Sequence, residues 1–189
     1  RCTSRSRLSG TTSSSRNTTY RAFDTATPAL RPAAGPLCFD NVITFGISPE
    51  LNAYKSERSR QLFQRLEDEL AAVPGVTGVT TALVPLLAGN NWGSDVQVEG
   101  FASGPDVDSN ARFNEVGAGY FRTMGVPLIS GREFTPADVL GSPKVTIVNE
   151  AFAKKFNLGR NAVGKRIGSG RTGEAMDIEI VGLVQNAKY

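Results

Sequence analysis

Apolar and polar residues alternate with two periods along residues 39–189, and each period indicates one kind of secondary structure. A period of two, or a short continuous apolar run, predicts a strand. Such stretches lie at 42–48 (VITFGIS), 76–84, 95–99, 111–116, 126–129, 145–148, 164–167 and 178–184. A period of 3.6 predicts a long helix that begins at an N-cap, Ser56, and ends at Pro74-Gly75. Its apolar face is predicted to cover a sheet and comprises Leu62, Phe63, Leu66, Leu70 and Val73.

The second half of the chain adds shorter helical segments and turns. Residues 119–124 (GYFRTM) predict one or two helical turns closed by Gly125, and the TPAD sequence at 135–138 predicts a capped turn. Asn149 is predicted to cap a helix over 150–156, in which Phe152 and Phe156 share a face. Strands that recur with short helices predict an α+β fold with mixed or antiparallel sheets and split β-α-β units.

Residues 1–38 have a different character and predict a tail without regular structure, so the domain is expected to span 39–189. The tail is rich in Ser, Thr, Arg, Ala and Pro and shows neither period. Such a segment buries too little apolar surface to offset the entropy lost on ordering. A flexible native tail and a non-native segment, such as a shifted reading frame of GC-rich DNA gives, both stay open. The absence of Lys disfavours a basic arm for nucleic acid or anionic lipid.

Charge and composition exclude several classes of function. The tail holds six Arg and one acid, whereas residues 39–189 hold 15 bases and 17 acids, so the net charge of +3 comes from the tail. The domain therefore offers no basic surface typical of nucleic-acid binding. The chain has no His, which removes Ser-His-Asp and Cys-His catalysis. Two cysteines, Cys2 and Cys38, form neither a zinc site nor a disulfide framework.

Four candidate chemical sites fit structural roles better. The GSGRTG sequence at 168–173 matches a dinucleotide loop, but a strand follows it where the motif requires a helix, so a hairpin loop is predicted. Asp106 and Asp108 lack the further oxygen ligands that Ca²⁺ requires. Nothing places Glu115 and Glu133 face to face as a carboxylate pair. The Lys154-Lys155 pair (154–155) suits the C-terminal end of a helix. We therefore predict no catalytic residue, metal site or cofactor.

The loop at 85–94 contains the strongest candidate for a contact with a partner. It carries the single Trp of the chain, Trp92, next to Asn90 and Asn91. An exposed Trp on a loop is typical of a binding hot spot, whereas a buried one would anchor the loop to the sheet. The sequence favours the anchor and leaves the contact open.

Several sequence blocks, in order, resemble the MacB-like periplasmic core domain of ABC-transporter permeases, and most of all the large permeases of acidobacteria. The blocks are NVITFGIS at 41–48, PGVTGV at 74–79, NEVGAGYFRTMGVPLISGREF at 114–134, VTIVNEAFAKKF at 145–156, GKRI at 164–167 and IVGLV at 180–184. They extend over about 150 residues, so the resemblance is far more specific than a single short motif.

The resemblance implies a non-catalytic domain on the periplasmic face of the bacterial inner membrane, inserted between two transmembrane helices of an FtsX-like permease. It implies coupling to an ABC ATPase through helices that this sequence lacks. It leaves open a periplasmic partner protein, a peptide or lipid substrate, and a homodimer. The family has a transmembrane helix before the 41–48 block and continues beyond residue 189, so we expect this chain to be a fragment that is truncated at its C-terminus.

Overall fold

A computed structural model describes residues 20–24, 42–84, 92–102, 104, 106–138, 141–169 and 175–187. These residues form seven strands, three α-helices and a 3-10 turn at Pro49–Asn52. The strands are β1 (Tyr20–Asp24), β2 (Trp92–Val98), β3 (Asn110–Val116), β4 (Leu128–Gly131), β5 (Val145–Asn149), β6 (Arg166–Ser169) and β7 (Ile178–Val184). The helices are α1 (Ser56–Ala71), α2 (Tyr120–Thr123) and α3 (Glu150–Lys155).

The strands form one mixed sheet in the order β4-β7-β5-β1-β3-β2-β6. β5 runs parallel to β1 and β7, while the other pairings are antiparallel. β6 also pairs with β7, so the sheet closes on itself through six strands and leaves β4 as an additional edge. The predicted α+β class with mixed strand pairing is confirmed. In the unit β5-α3-β6-β7 the parallel strands β5 and β7 are direct neighbours in the sheet, so this unit is not the split β-α-β unit that the sequence predicted.

Two hydrophobic clusters lie on the two faces of this sheet. The first core cluster combines α3 with strands β2, β3, β5, β6 and β7: Val96, Val98, Ala111, Val148, Phe152, Ala153, Phe156, Ala162, Ile167, Ile178, Ile180 and Leu183. The second core cluster surrounds α2: Val116, Tyr120, Phe121, Met124, Val126, Phe134, Ile147, Val181 and Val184. Neighbouring residues of β5, Ile147 and Val148, enter different clusters because successive side chains of a strand point to opposite faces.

Local signals in the sequence correctly located α2, α3 and the turn between them. The Phe152 backbone N–H donates to Asn149 Oδ1 over 2.9 Å, as an N-cap requires. In the predicted turn, the Thr135 backbone N–H donates to Asp138 Oδ2 over 2.8 Å. The Phe152 and Phe156 rings lie four residues apart and contact each other in a tilted arrangement, with centroids 4.5 Å apart and planes at 43°. These signals involve residues three or four positions apart, which is why the sequence alone could place them.

The strand predicted at 42–48 is wrong, because these residues lie outside the sheet without regular structure. Ile43 is 89% exposed and Phe45 is 62% exposed. β1 lies between β3 and β5 in the sheet. β1 belongs to the segment 1–38, so the prediction that this segment lacks regular structure is wrong for Tyr20–Asp24. The boundary between a tail and a domain near residue 38 stays a prediction.

The strand predicted at 76–84 is only partly formed. Ala82 makes a single antiparallel bridge to Val116, and the Leu83 N–H donates to the Glu115 carbonyl over 2.8 Å. β2 pairs with β3 only as far as Phe113, so residues 82–84 occupy the same edge of β3 beyond that point. The Asn114 side chain secures them through hydrogen bonds to the N–H and the carbonyl of Val84.

Helix α1 is present but does not cover the sheet as predicted. Its apolar residues Leu62, Phe63, Leu66 and Leu70 are half-buried, and none of them belongs to either core cluster. Lys55 occupies the N-cap position, where Ser56 was expected, and its side chain makes no capping hydrogen bond. The helix forms because its 3.6-residue pattern and helix-favouring residues suffice locally, while its packing depends on partners far away in the sequence.

Candidate contact surface

Trp92 begins β2, so the loop predicted over 85–94 is wrong for residues 92–94, which already belong to the strand. Trp92 combines the two roles that the sequence left open. Its ring packs edge-to-face on Phe113 of β3, with centroids 6.0 Å apart and planes at 76°. The two residues are register partners in the antiparallel β2–β3 pair, which brings their side chains to the same face. Trp92 nevertheless stays 40% exposed. It is therefore anchored on one side and accessible on the other, as a residue at an interface often is.

Trp92 has polar neighbours on both sides along the chain, and the structure describes those that follow it. Asn90 and Asn91 lie outside the described residues, so their part in a contact stays a prediction. Gly93, Ser94 and Asp95 follow Trp92 along β2 and are exposed. Trp92 thus stands at the start of a polar, solvent-facing stretch of strand.

The two candidate carboxylates of a glycosidase pair have separate positions in the fold. Glu133 follows β4, and its Oε1 accepts a hydrogen bond from the Arg122 backbone N–H of α2 over 3.2 Å. Glu115 lies within β3, opposite Arg21 of β1 in the strand register. Glu133 therefore binds the backbone of α2, which is a structural role.

Asp108 and Lys155 form a link between the loop before β3 and helix α3. Lys155 Nζ lies 2.8 Å from Asp108 Oδ2 and donates to the Asn110 carbonyl over 2.7 Å. The hydrogen bond from Lys155, helped by one from the Asn110 N–H, holds the pKa of Asp108 below its usual value. Asp106 is exposed in the same loop. The sequence treated Lys155 only as a favourable charge at a helix end and missed this tertiary link.

Arg132 and Asp138 form a bidentate ion pair. Arg132 Nη1 and Nη2 donate to Asp138 Oδ2 and Oδ1, both over 2.7 Å. The Asp138 side chain is only 10% exposed, and the Thr135 N–H and hydroxyl also donate to it. The Arg132 guanidinium is the main reason why the pKa of Asp138 lies below its usual value. The pair fastens the loop after β4.

Two more carboxylates have shifted pKa values for different reasons. Lys165 Nζ donates to Glu99 Oε1 over 3.0 Å and lowers the pKa of Glu99, and the Arg166 N–H adds a second hydrogen bond. Burial raises the pKa of Glu67 on α1, although a hydrogen bond with Thr81 acts in the opposite direction. Each contact joins two elements of the fold.

The glycine-rich sequence at 168–173 falls mostly outside the described residues, which include only Gly168 and Ser169 of β6. β6 and β7, the strands on either side of it, pair antiparallel, with Arg166 opposite Glu179 and Ile167 opposite Ile178. Two antiparallel neighbours that are consecutive along the chain have the arrangement of a hairpin, as predicted, and the described residues before β7, 175–177, contain no helix.

The described part of the chain offers neither a cluster of metal ligands nor a membrane-spanning helix. No group of three or more His, Cys, Asp or Glu side chains there is placed to hold a metal ion. No helix there is long and apolar enough to cross a bilayer. Cys2 and Cys38 lie outside the described residues.

Comparison with known proteins adds a family match that covers nearly the whole chain. The model of the MacB-like periplasmic core domain matches residues 14–188. The chain belongs to this family.

Solved structures similar to this MacB-like domain include two from other bacteria. The periplasmic region of MacB from Actinobacillus actinomycetemcomitans is 21% identical, with a TM-score of 0.45, over 64% of this chain and 49% of that chain. A domain of a putative permease protein from Porphyromonas gingivalis is 18% identical, with a TM-score of 0.38, over 62% of this chain and 43% of that one. The chain thus spans about half the length of these structures. A comparison with functionally curated proteins gives no match.

The family assignment places this chain among the periplasmic domains of ABC-transporter permeases, as the sequence blocks indicated. The matched region begins at residue 14 and so includes β1, which the sequence blocks did not. Phe113 is the packing partner of Trp92 that sequence analysis missed. Its strand was predicted, but the register that brings it opposite Trp92 depends on pairing between distant segments and leaves no local signal.

Proposed function

We propose that this MacB-like domain is the extracytoplasmic part of an ABC-type permease, and that it relays ATP-driven movement across the inner membrane for export or mechanical signalling. ATP hydrolysis would take place on a separate cytoplasmic domain or subunit. The observation that carries the proposal is the family match over residues 14–188. In this proposal the domain has no catalytic residue and binds no cofactor.

The packing of the domain supports a mechanical role. Adjacent residues of β5, Ile147 and Val148, enter opposite core clusters, and adjacent residues of β7, Ile180 and Val181, do the same. These two parallel strands therefore join both cores into one packed unit. Close-packed interiors have low compressibility and transmit displacement. The carboxylates Glu99, Asp108 and Asp138 are each held by a cation, which suits a stiff scaffold.

The partners follow from the same proposal. An ABC ATPase would act through transmembrane helices on either side of this domain. A periplasmic partner protein, or a peptide or lipid substrate, would contact the domain on its periplasmic side, and a homodimer would place two such domains side by side. The surface around Trp92 is the proposed contact.

The location can be tested with two neighbouring cysteine variants of the full-length permease in intact cells, with Cys2 and Cys38 replaced by Ser. Lys154 is exposed on α3, whereas the adjacent Ala153 is buried. We expect a membrane-impermeant maleimide, applied after permeabilising only the outer membrane, to label Lys154→Cys and to leave Ala153→Cys unlabelled until denaturation. Labelling of Lys154→Cys only after the inner membrane is also opened would contradict the proposal.

A second candidate is a periplasmic or secreted module that binds peptide or lipid through Trp92. The observation that favours it is the exposure of Trp92 at the start of a polar stretch. Trp92 is the only Trp, so its fluorescence reports this surface directly. A blue shift of Trp92 emission on titration with phosphatidylglycerol vesicles or an extended apolar peptide would favour this function, provided that Trp92→Phe also binds the same probe more weakly in an assay that does not use Trp fluorescence. An unchanged spectrum with both probes would count against it.

A further inference from the structure

Three neighbouring strands of the sheet, β1, β5 and β7, run in the same direction. β5 lies in the middle and pairs in parallel with β1 on one side and with β7 on the other. β1 is the first of the described strands along the chain, and β7 is the last. The first and the last strand therefore hold the same neighbour from its two sides.

The start of β1 and the end of β7 lie at opposite ends of these three strands. Tyr20 begins β1 one residue before Arg21, which stands opposite Thr146 near the start of β5. Val184 ends β7 opposite Asn149, where β5 ends. The two points are about 13 Å apart along the strands and about 10 Å apart across them. A pull between them therefore acts mainly along the strands.

A pull along the strands loads the hydrogen bonds between them differently from a pull across the strands. In the first case β1 and β7 are drawn in opposite directions past β5, and all hydrogen bonds of a ladder share the load at once. In the second case a strand peels from one end and its bonds break one after another. β1 is paired on both edges, with five residues of β3 and three of β5. β7 is also paired on both edges, with β5 on one and with β4 and β6 on the other.

Three further features resist sliding of β7 past β5. The β5 residues Ile147 and Val148 are fully buried in opposite core clusters, and a slip by one residue would exchange the faces of the side chains on the sliding strand. The register shifts at Val181, which has no partner on β5, and such a bulge pins the register of a strand pair. Beyond β7, Asn186 Oδ1 accepts from the Ala151 N–H of α3 over 2.9 Å and so ties the chain to the helix that follows β5.

We propose that β1, β5 and β7 form a directional clamp. The clamp withstands a pull that enters at the start of β1 and leaves after the end of β7, and the sheet yields to a weaker pull directed across its strands. Such a clamp would let the domain carry force along its chain without unfolding. It gives the proposed relay a preferred direction, but it is a property of the fold and does not depend on transport.

Single-molecule force spectroscopy of the 189-residue chain, with Cys2 and Cys38 replaced by Ser, tests the proposal by pulling one variant in two directions. The variant carries Arg112→Cys on β3 and Leu128→Cys on β4, two exposed positions at the end of the sheet where β5 ends. Handles on these cysteines pull across the strands and peel β4 from β7, whereas handles on terminal tags pull along β1 and β7. We expect the terminal pull to need at least about twice the force at the same speed, because forced unfolding follows the unfolding rate along the loaded direction.

Both directions are measured on the same variant, so a difference in force cannot come from a difference in stability. Equal forces in the two directions would overturn the clamp. So would a first step at low force, under the terminal pull, that releases only the chain ahead of α1, because β1 would then bear no load. If the variant fails to fold by circular dichroism, Ser94→Cys with Ile129→Cys, also at exposed positions, supplies a second pair across the strands. The result is independent of the labelling test of location, so either proposal can fail without the other.

Discussion

Replacing Gly131 with alanine will destabilise the domain far more than the same change at Gly164. Gly131 ends β4 and stands opposite Gly182 of β7 in the strand register. Its φ of +78° is a conformation that residues with a Cβ adopt at a cost. A Cβ added there would lie 2.2 Å from the Val181 carbonyl oxygen, an acceptor already bound by the Arg132 N–H at 2.8 Å. The backbone of β4 would have to move away from β7.

The expected loss in the free energy of unfolding is the sum of a backbone cost and a packing cost. Gly164 has a φ of +88° and no atom within 4 Å of an added Cβ, so Gly164→Ala measures the backbone term alone. That term is about 1 kcal/mol. Forcing an atom into a packed contact adds about 1–3 kcal/mol. We therefore expect Gly131→Ala to lower the free energy of unfolding by about 2–4 kcal/mol.

Urea unfolding followed by far-ultraviolet circular dichroism measures both variants under the same conditions. The midpoint should fall while the slope m stays constant, since the change affects stability and not the exposed area. Equal destabilisation of Gly131→Ala and Gly164→Ala would refute the close approach of β4 and β7. A stable Gly131→Ala variant would refute the whole argument.

Three further predictions concern the cap, the core and the ion pair. Asn149→Ala should lower the free energy of unfolding by about 1 kcal/mol in urea unfolding, because α3 loses its capping acceptor, while Asn149→Asp should retain most of it. Phe152→Ala should remove about 3–5 kcal/mol from the first core cluster, whereas Leu51→Ala, at an exposed position, should change stability by about 0.5 kcal/mol or less; equal effects on the midpoint would contradict the burial of Phe152. Asp138→Asn should cost about 1–2 kcal/mol at pH 7. The lowered pKa of Asp138 means that this contribution is present above about pH 4, the pKa in an unfolded chain, and is lost as the pH falls through the folded pKa, so wild-type and variant stabilities should converge in acid. A difference that persists in acid would show that Asp138 acts through packing alone.

The parts of the fold that could be predicted from the sequence are those fixed by near neighbours. The Asn149 cap, the turn at Asp138 and the Phe152–Phe156 pair all depend on residues within four positions of each other. Strand β5 was found because a strand with both faces covered reads as a continuous apolar run. Strand β4 was predicted two residues too early, because its end is set by the approach of Gly131 to Gly182 of β7.

The parts that could not be predicted depend on which distant segments pair. Residues 42–48 have the pattern of a strand, but the pattern does not say whether a partner strand is available to pair with them. The loose packing of α1 could not be predicted for the same reason, because an apolar face indicates that a helix packs on something but not on which element. Of the candidate contact surface, the sequence supplied Trp92, and only the register of β2 with β3 supplied Phe113.

The central claim is that ATP hydrolysis moves this domain relative to the membrane. The most direct measurement is energy transfer from a fluorophore at Lys154→Cys to acceptor-labelled lipid headgroups, in the full-length permease with its ATPase, reconstituted in bilayers and with Cys2 and Cys38 replaced by Ser. Lys154 suits the donor because its side chain is exposed on a helix whose other face lies in the first core cluster. A relay predicts that transfer efficiency changes with ATP and stays constant with ADP or with a hydrolysis-deficient ATPase. The same efficiency under all three conditions would contradict the account.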